Sequence, residues 1–151
     1  MRILLQKVNK ASVIIDSEVY SSINEGLLLF VGFSILDDKE IIDKMISKLV
    51  NLRILEDENG KTNKSVMSKE LEILSVSQFT LYADSKKGRR PSFSKSAPSD
   101  EAKVLYDYFN QKLNKIIKTK TGKFKEDMRI SLENNGPFTM MLDSEEYGWQ
   151  K

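Results

Sequence analysis

The chain has 151 residues, with 24 Lys/Arg against 22 Asp/Glu, a formal charge of +2, no cysteine and no histidine. That length predicts one domain spanning residues 1–151, and the missing cysteines exclude disulfides, thiolate nucleophiles and Cys-ligated metals. The missing histidines exclude Ser-His-Asp and Cys-His machinery and any His-zinc centre, so proton traffic must use carboxylates, hydroxyls, lysines, backbone, water or the substrate itself.

Residues 2–9, 11–16 and 19–23 read as short strands. Lys7 and Lys10 interrupt the opening apolar run, so no signal peptide is expected there, and no apolar stretch reaches membrane-spanning length. Gly26 opens GLLLFVGF, a continuous apolar run that suggests a strand buried on both faces. Asp37 and Asp38 can cap a helix over roughly 39–52, whose Ile41, Ile42, Met45, Ile46, Leu49 and Val50 make one core-facing stripe. Residues 53–55 read as a short strand and 57–60 as a turn. EILSVSQFTLYA, residues 72–83, reads as one long strand, which would put Ser77, Phe79 and Leu81 on one side and Gln78, Thr80 and Tyr82 on the other.

Residues 84–98 read as a loop, punctuated by Gly88, Pro91 and Pro98. Ser99 is expected to cap a helix over about 100–117, with Leu105, Tyr108, Phe109, Leu113, Ile116 and Ile117 toward the core. Two last strands, 123–133 and 138–143, are expected to join at a turn, Asn134-Asn135-Gly136-Pro137, where local statistics favour a trans proline. The order predicts an α+β domain with a mostly antiparallel or mixed sheet, barrel-like, and two main helices. There is no Walker or dinucleotide-type glycine loop.

Charge is unevenly placed: Lys86 to Lys125 holds twelve Lys/Arg and three Asp/Glu, whereas residues 1–75 hold ten basic and twelve acidic. That segment suits a phosphate-facing surface, although a solvated helix face and loop have the same composition. Ser77, Gln78 and Thr80 are polar positions in an otherwise apolar run. They either face a polar ligand or satisfy neighbouring backbone, and the residues alone leave both open.

From end to end the sequence resembles the D-aminoacyl-tRNA deacylases. The matching stretches are MRILLQKVNKASVIID, GLLLFVGFS, LVNLRILEDENGKTNKSV, SVSQFTLYAD, KGRRPSFSKSAP, LYDYF and DMRISLENNGPFTMMLDS. The S-Q-x-x-L segment at Ser77–Leu81 and the G-P-x-T segment at Gly136–Thr139 are the two signature motifs. The resemblance implies a homodimer with interfacial active sites that hydrolyses D-aminoacyl-tRNA. It implies glycyl-tRNA as a further substrate, because excluding L side chains admits glycine. Ser77, Gln78, Phe79 and Thr80 are the implied catalytic segment, with a backbone N–H of Phe79 or Thr80 as oxyanion donor. Gly136 and Pro137, joined in cis, are the implied chiral selector reaching into the partner's pocket. Leu81, Lys86, Lys87, Arg89, Arg90, Phe124, Met128 and Thr139 are the implied substrate and tRNA contacts.

Hydrolysis assisted by the 2′-hydroxyl of the terminal ribose is implied, with Thr80 as a nucleophile ranking second because no base stands in the motif. The resemblance implies no metal and no cofactor, a cytoplasmic location, and as partners the 3′ end of aminoacyl-tRNA and a second copy of the chain, with no DNA and no membrane. The sequence departs from the family pattern at Phe138 (usually valine), at Lys125-Glu126 (usually two small residues) and at Lys7, where arginine is common and its bidentate grip on the G-P loop is expected to be missing. A non-catalytic RNA-binding dimer and a purely structural dimer are the competing readings.

Overall fold

The structure is a computed structural model that describes residues 1–150. A long first strand, β1 (Arg2–Ile15), organises the sheet, and β2 (Glu18–Ile23) and β3 (Gly26–Gly32) follow it. Both pair antiparallel with β1, β3 along its Arg2–Val8 half and β2 along its Ala11–Ile15 half. The strands expected at 2–9 and 11–16 are thus one, because Asn9 and Lys10 continue the extended chain. Helix α1 (Lys39–Asn51) leads into a small hairpin, β4 (Leu55–Glu56) and β5 (Thr62–Lys64), around the expected turn. Strand β6 (Glu72–Ser77) runs parallel to β3, and β7 (Thr119–Thr121), which follows helix α2 (Ser99–Asn114), runs parallel to β6.

Strand β8 (Arg129–Asp143) pairs with the other edge of β1 along almost its whole length. The sheet is therefore mixed, in the order β2-β1-β3-β6-β7 with β8 beside β1. It curls toward closure: Ser21 Oγ donates to the Thr121 carbonyl at 2.8 Å and Lys120 Nζ to the Ser22 carbonyl at 2.6 Å, which ties β2 to β7. The result is the expected α+β domain, two helices on a nearly closed barrel-like sheet.

Burial explains the helices and the central strand. In β3, Leu27, Leu29 and Val31 join the core under the helices, while Leu28 joins a second core with Val8, Val13, Leu74 and Val76. A strand buried on both faces needs the continuous apolar run it has. All six apolar residues of the α1 stripe are buried, and Asp38 caps the helix, accepting from the Ile41 amide at 2.9 Å. Each such aliphatic side chain contributes about 1.5–3 kcal/mol on full burial. Asp37 does different work: it accepts from the Ser34 amide at 2.6 Å and pairs with the Met1 amino group.

Helix α2 departs from its expected details. Ser99 is its first helical residue, Pro98 precedes it, and no side chain caps it. Tyr106, Phe109, Leu113 and Ile117 are buried, whereas Ile116 is exposed and Leu105 and Tyr108 lie half-buried. Tyr106 is buried because its hydroxyl finds a partner, donating to the Ser75 carbonyl at 2.8 Å.

Two larger corrections bear on the site. The strand expected over 72–83 stops at Ser77, and Phe79–Tyr82 is a 3₁₀ turn. The ladder ends on both sides there: β3 ends at Gly32, and β7 reaches only as far as Ser75. With no neighbouring strand, the chain closes local bonds instead, Leu81 N–H to the Gln78 carbonyl at 3.4 Å and Ala83 N–H to the Thr80 carbonyl at 3.0 Å. Gly32 lets the chain turn here, since a Cβ on it would stand 2.8 Å from the Gln78 carbonyl oxygen. The expected hairpin at Asn134–Pro137 does not form either. Residues 129–143 are a single strand in which the pairing jumps from Val8–Asn134 to Gln6–Thr139, so residues 135–138 bulge out opposite Lys7.

Candidate active site

A cavity of about 640 Å³ opens where β3, β6, the 3₁₀ turn and the start of α2 meet. Val31, Val76, Phe79, Phe93, Phe124, Met128 and Ile130 give it apolar walls, and Ser77, Gln78, Ser96 and Ser99 add hydroxyls and an amide. An apolar cavity with a few convergent polar groups is the usual form of a small-ligand site. Of the residues singled out in the sequence, the structure brings Ser77, Gln78, Phe79, Phe124 and Met128 to this cavity.

The 3₁₀ turn presents part of the segment that the resemblance implies is catalytic. Phe79 and Thr80 are exposed, and their amides come before the first bond of the turn and have no acceptor among the described residues. Gln78 Nε2 donates to Thr80 Oγ1 at 2.5 Å. A carboxamide cannot take a proton from a hydroxyl, so this contact orients Thr80 without activating it. The turn is held from two sides. Arg2 donates to the Leu81 carbonyl at 2.9 Å, lies over the Tyr82 ring at 4.6 Å and is itself fixed by Asp143 at 2.7 Å. Ser96 Oγ donates to the Phe79 carbonyl at 3.2 Å. Leu81 is spent on this scaffold: its carbonyl accepts from Arg2 and its side chain lies beside Gly32, outside the cavity lining.

Phe124 stays in the cavity despite the charged residues that follow it. Its ring packs on Tyr106 at 5.8 Å between centroids. Burial pushes the Tyr106 hydroxyl up to about 12, so it remains a neutral donor to Ser75. Lys125 takes a left-handed backbone conformation at φ 65°, and with Glu126 and Asp127 it lines the same cavity.

Gly136 and Pro137 are exposed and do not line the cavity of their own chain. The bond between them is cis, against the local expectation of trans and as the resemblance implies. Asn134 braces the bulge across its base: its Oδ1 accepts from the Phe138 amide at 2.7 Å, and its Nδ2 donates to the Phe138 carbonyl at 3.2 Å and to Thr139 Oγ1 at 3.0 Å. Gln6 Nε2 also donates to Thr139 Oγ1, at 3.1 Å. The substitutions at Lys7 and Phe138 meet each other. Lys7 Nζ lies 5.1 Å from the Phe138 ring centre and donates to the Ile54 carbonyl at 3.2 Å. A cation over a ring is worth about 0.5–1 kcal/mol at such a site. Arg2, Phe93 and Ser96 escaped sequence reading because each acts through a distant partner, and Asn134 because it read as part of a turn rather than as the brace of a bulge.

Lys86, Lys87, Arg89 and Arg90 are all exposed, without a carboxylate partner among the described residues, on the loop that carries Phe93. No helix among the described residues is long and apolar enough to cross a membrane.

An α+β domain with this cavity, two unpartnered amides and no histidine has parts with which a hydrolase can work by positioning and by oriented dipoles. The D-Tyr-tRNA(Tyr) deacylase family model matches residues 4–143. A protein of Listeria monocytogenes named D-aminoacyl-tRNA deacylase is 53% identical over 147 residues, covering 97% of each chain. A solved structure titled c-Myc DNA Unwinding Element Binding Protein superposes with a TM-score of 0.90 at 39% identity, covering 95% of this chain and 98% of that one. A probable eukaryotic D-amino acid tRNA deacylase shares the fold, with a TM-score of 0.82 at 19% identity over 93% of this chain and 97% of that one. The chain belongs to the D-Tyr-tRNA(Tyr) deacylase family.

Proposed function

We propose that the chain edits aminoacyl-tRNA, hydrolysing the ester of D-aminoacyl-tRNA to free D-amino acid and tRNA, with glycyl-tRNA as a further substrate. The observation that carries this reading is the pair of unpartnered amides at Phe79 and Thr80 beside an apolar cavity, in a chain of this family. The terminal adenosine enters against Phe124 and Met128, and the ester carbonyl meets the amides. A positioned water adds to the carbonyl carbon. The resulting oxyanion is held by the amides, and the bond to the ribose 3′-oxygen breaks. The 2′-hydroxyl relays the water's proton to that leaving oxygen, which replaces a protein base in a chain that has no histidine.

Gly136 and Pro137 act on the cavity of a second copy. Their exposure, and their absence from the cavity of their own chain, support this arrangement. Met141, 42% exposed opposite Leu4, and Phe79, 55% exposed, are apolar surface that a second copy would cover. Carbonyl groups of the bulge then occupy the space an L side chain needs, while a D side chain or glycine passes. A cavity of this size suits the end of a single strand, which favours a tRNA 3′ end over duplex DNA.

Incubation with D-tyrosyl-tRNA and L-tyrosyl-tRNA tests the reading. Release from the D ester alone is expected. No release from either sinks the editing function, and equal release sinks the chiral selection.

The loop at Lys86, Lys87, Arg89 and Arg90 positions the acceptor-stem phosphates without reading sequence. Replacing all four by alanine is expected to raise KM and leave kcat at saturation unchanged. The slope of log affinity against log salt should fall by roughly 0.7–0.9 for each phosphate that no longer meets a cation. An unchanged slope, measured by filter binding at several salt concentrations, assigns the loop to solvent.

A further inference from the structure

Two aromatic pairs stand at the cavity, one with only Phe124 on its wall and the other with both rings on it, and the proposed reading uses only the first. Phe124, packed on Tyr106, belongs with Met128 to the segment assigned to the terminal adenine. The other pair is Phe79 and Phe93, with ring centroids 5.0 Å apart and planes at 63°. Phe93 comes from the 84–98 loop, and the proposed chemistry uses that loop's cations and Ser96 but not this ring.

That loop is built to hold Phe93 still. Asp84 and Ser92 exchange two backbone hydrogen bonds of 2.8 Å at its neck. The Ser96 amide donates to the Phe93 carbonyl at 2.9 Å, the Ala97 amide to the Phe33 carbonyl at 2.9 Å, and the Ile35 amide to the Lys95 carbonyl at 3.1 Å. Phe93 is thus a half-buried ring in a fixed turn, reached from the cavity, with Arg89 and Arg90 just before it and Lys95 just after. An aromatic ring interleaved with unpaired cations matches the chemistry of a single-stranded nucleotide, whose base stacks while its phosphate meets the cations.

We propose that Phe93 is a stacking subsite for the base of the nucleotide immediately 5′ of the terminal adenosine, with the intervening phosphate facing the Lys86–Arg90 loop. This rests on the reading that the cavity takes the terminal adenosine. It makes the site a reader of two nucleotides, so the tRNA end is gripped at a point separate from the reacting ester. The competing role for Phe93 is only to support the Phe79 ring.

Equilibrium binding of adenosine and of the dinucleotide CpA, to wild type, Phe93→Ala and Phe93→Tyr, separates these roles. Wild type is expected to bind CpA about tenfold more tightly than adenosine, the scale of one base–aromatic stack. Phe93→Ala is expected to bring that ratio to about one with adenosine affinity held within about twofold, and Phe93→Tyr to restore it. A ratio of one in wild type overturns the subsite, as does an equal loss of both ligands in Phe93→Ala. Adenosine binding without a CpA gain sinks this inference alone. Failure of adenosine itself to bind removes the reading of the cavity beneath it. Turnover of D-tyrosyl-tRNA, measured alongside, tests the editing function independently of both.

Discussion

Gly136→Ala is expected to lower kcat/KM for D-tyrosyl-tRNA by about 10²-fold, the scale on which a misplacement of about 1 Å in a reacting geometry acts. Gly136 sits at φ 142°, a conformation L side chains rarely adopt. A Cβ there would stand 2.9 Å from the Phe138 amide nitrogen and 3.2 Å from Phe138 Cβ. The neighbour that must yield is therefore backbone, and it is pinned by two hydrogen bonds with the Asn134 side chain, one donated and one accepted, and by Lys7 over the Phe138 ring. The bulge must shift as a unit, carrying its carbonyl groups with it. A stability loss of about 1–3 kcal/mol should accompany the change, read by urea unfolding.

The cross-subunit arrangement adds a sharper outcome. Phe79→Pro deletes one of the two unpartnered amides and should cost about 10²–10³ in kcat by itself, as loss of an oxyanion donor does. If each site combines the cavity of one copy with the bulge of the other, unfolding and refolding Gly136→Ala together with Phe79→Pro makes hybrids in which one site carries both lesions and the other neither. Random pairing then restores about a quarter of wild-type activity, since half the dimers are hybrids and each has one intact site. No recovery on mixing refutes the shared site.

The fold was most legible where one physical demand acts alone. The run at Gly26–Gly32 is apolar at successive positions because both of its faces are buried, and the α1 stripe has helical period because only one face is. The α2 face was misread because Leu105, Tyr106, Tyr108 and Phe109 crowd a stretch of five residues, and a hydrogen bond from Tyr106 to Ser75 decides which ring goes inside. No feature at Tyr106 signals a partner 31 positions away.

The candidate site was legible as motifs but not as geometry. Ser77–Leu81 has the β-branched and aromatic composition of a strand, and it leaves the sheet only because β3 and β7 run out on either side. Those are facts about neighbouring strands rather than about the segment. Asn135-Gly136 resembles a hairpin turn locally, yet β1 is long enough to pair with both flanks of β8 and draw them into line. Lys7 and Phe138 look like two independent departures from the family pattern. In space they are one contact, and the bulge keeps its support by other means than an arginine fork.

The second large effect concerns where the catalytic proton goes. Thr80→Ala is expected to retain at least about a tenth of wild-type kcat, whereas a D-aminoacyl-tRNA ending in 2′-deoxyadenosine should lose about 10²–10⁴, the range a positioned proton-transfer group contributes. Thr80 Oγ1 accepts a hydrogen bond from the Gln78 carboxamide at 2.5 Å, and no carboxylate or lysine is bonded to it among the described residues. An attacking hydroxyl needs a group to take its proton, and an amide nitrogen cannot. What the chain does supply is fixed dipoles: the Phe79 and Thr80 amides, on a turn held by Arg2 and Ser96. Such dipoles stabilise charge as it develops but move no protons. The substrate then carries the only hydroxyl adjacent to the leaving oxygen, so deleting it should cost far more than deleting Thr80. Single-turnover kinetics with the two substrates and the two proteins decide the matter. A thousandfold loss in Thr80→Ala, with normal cleavage of the deoxy substrate and a burst of acyl-enzyme, would reverse the assignment and make threonine the nucleophile.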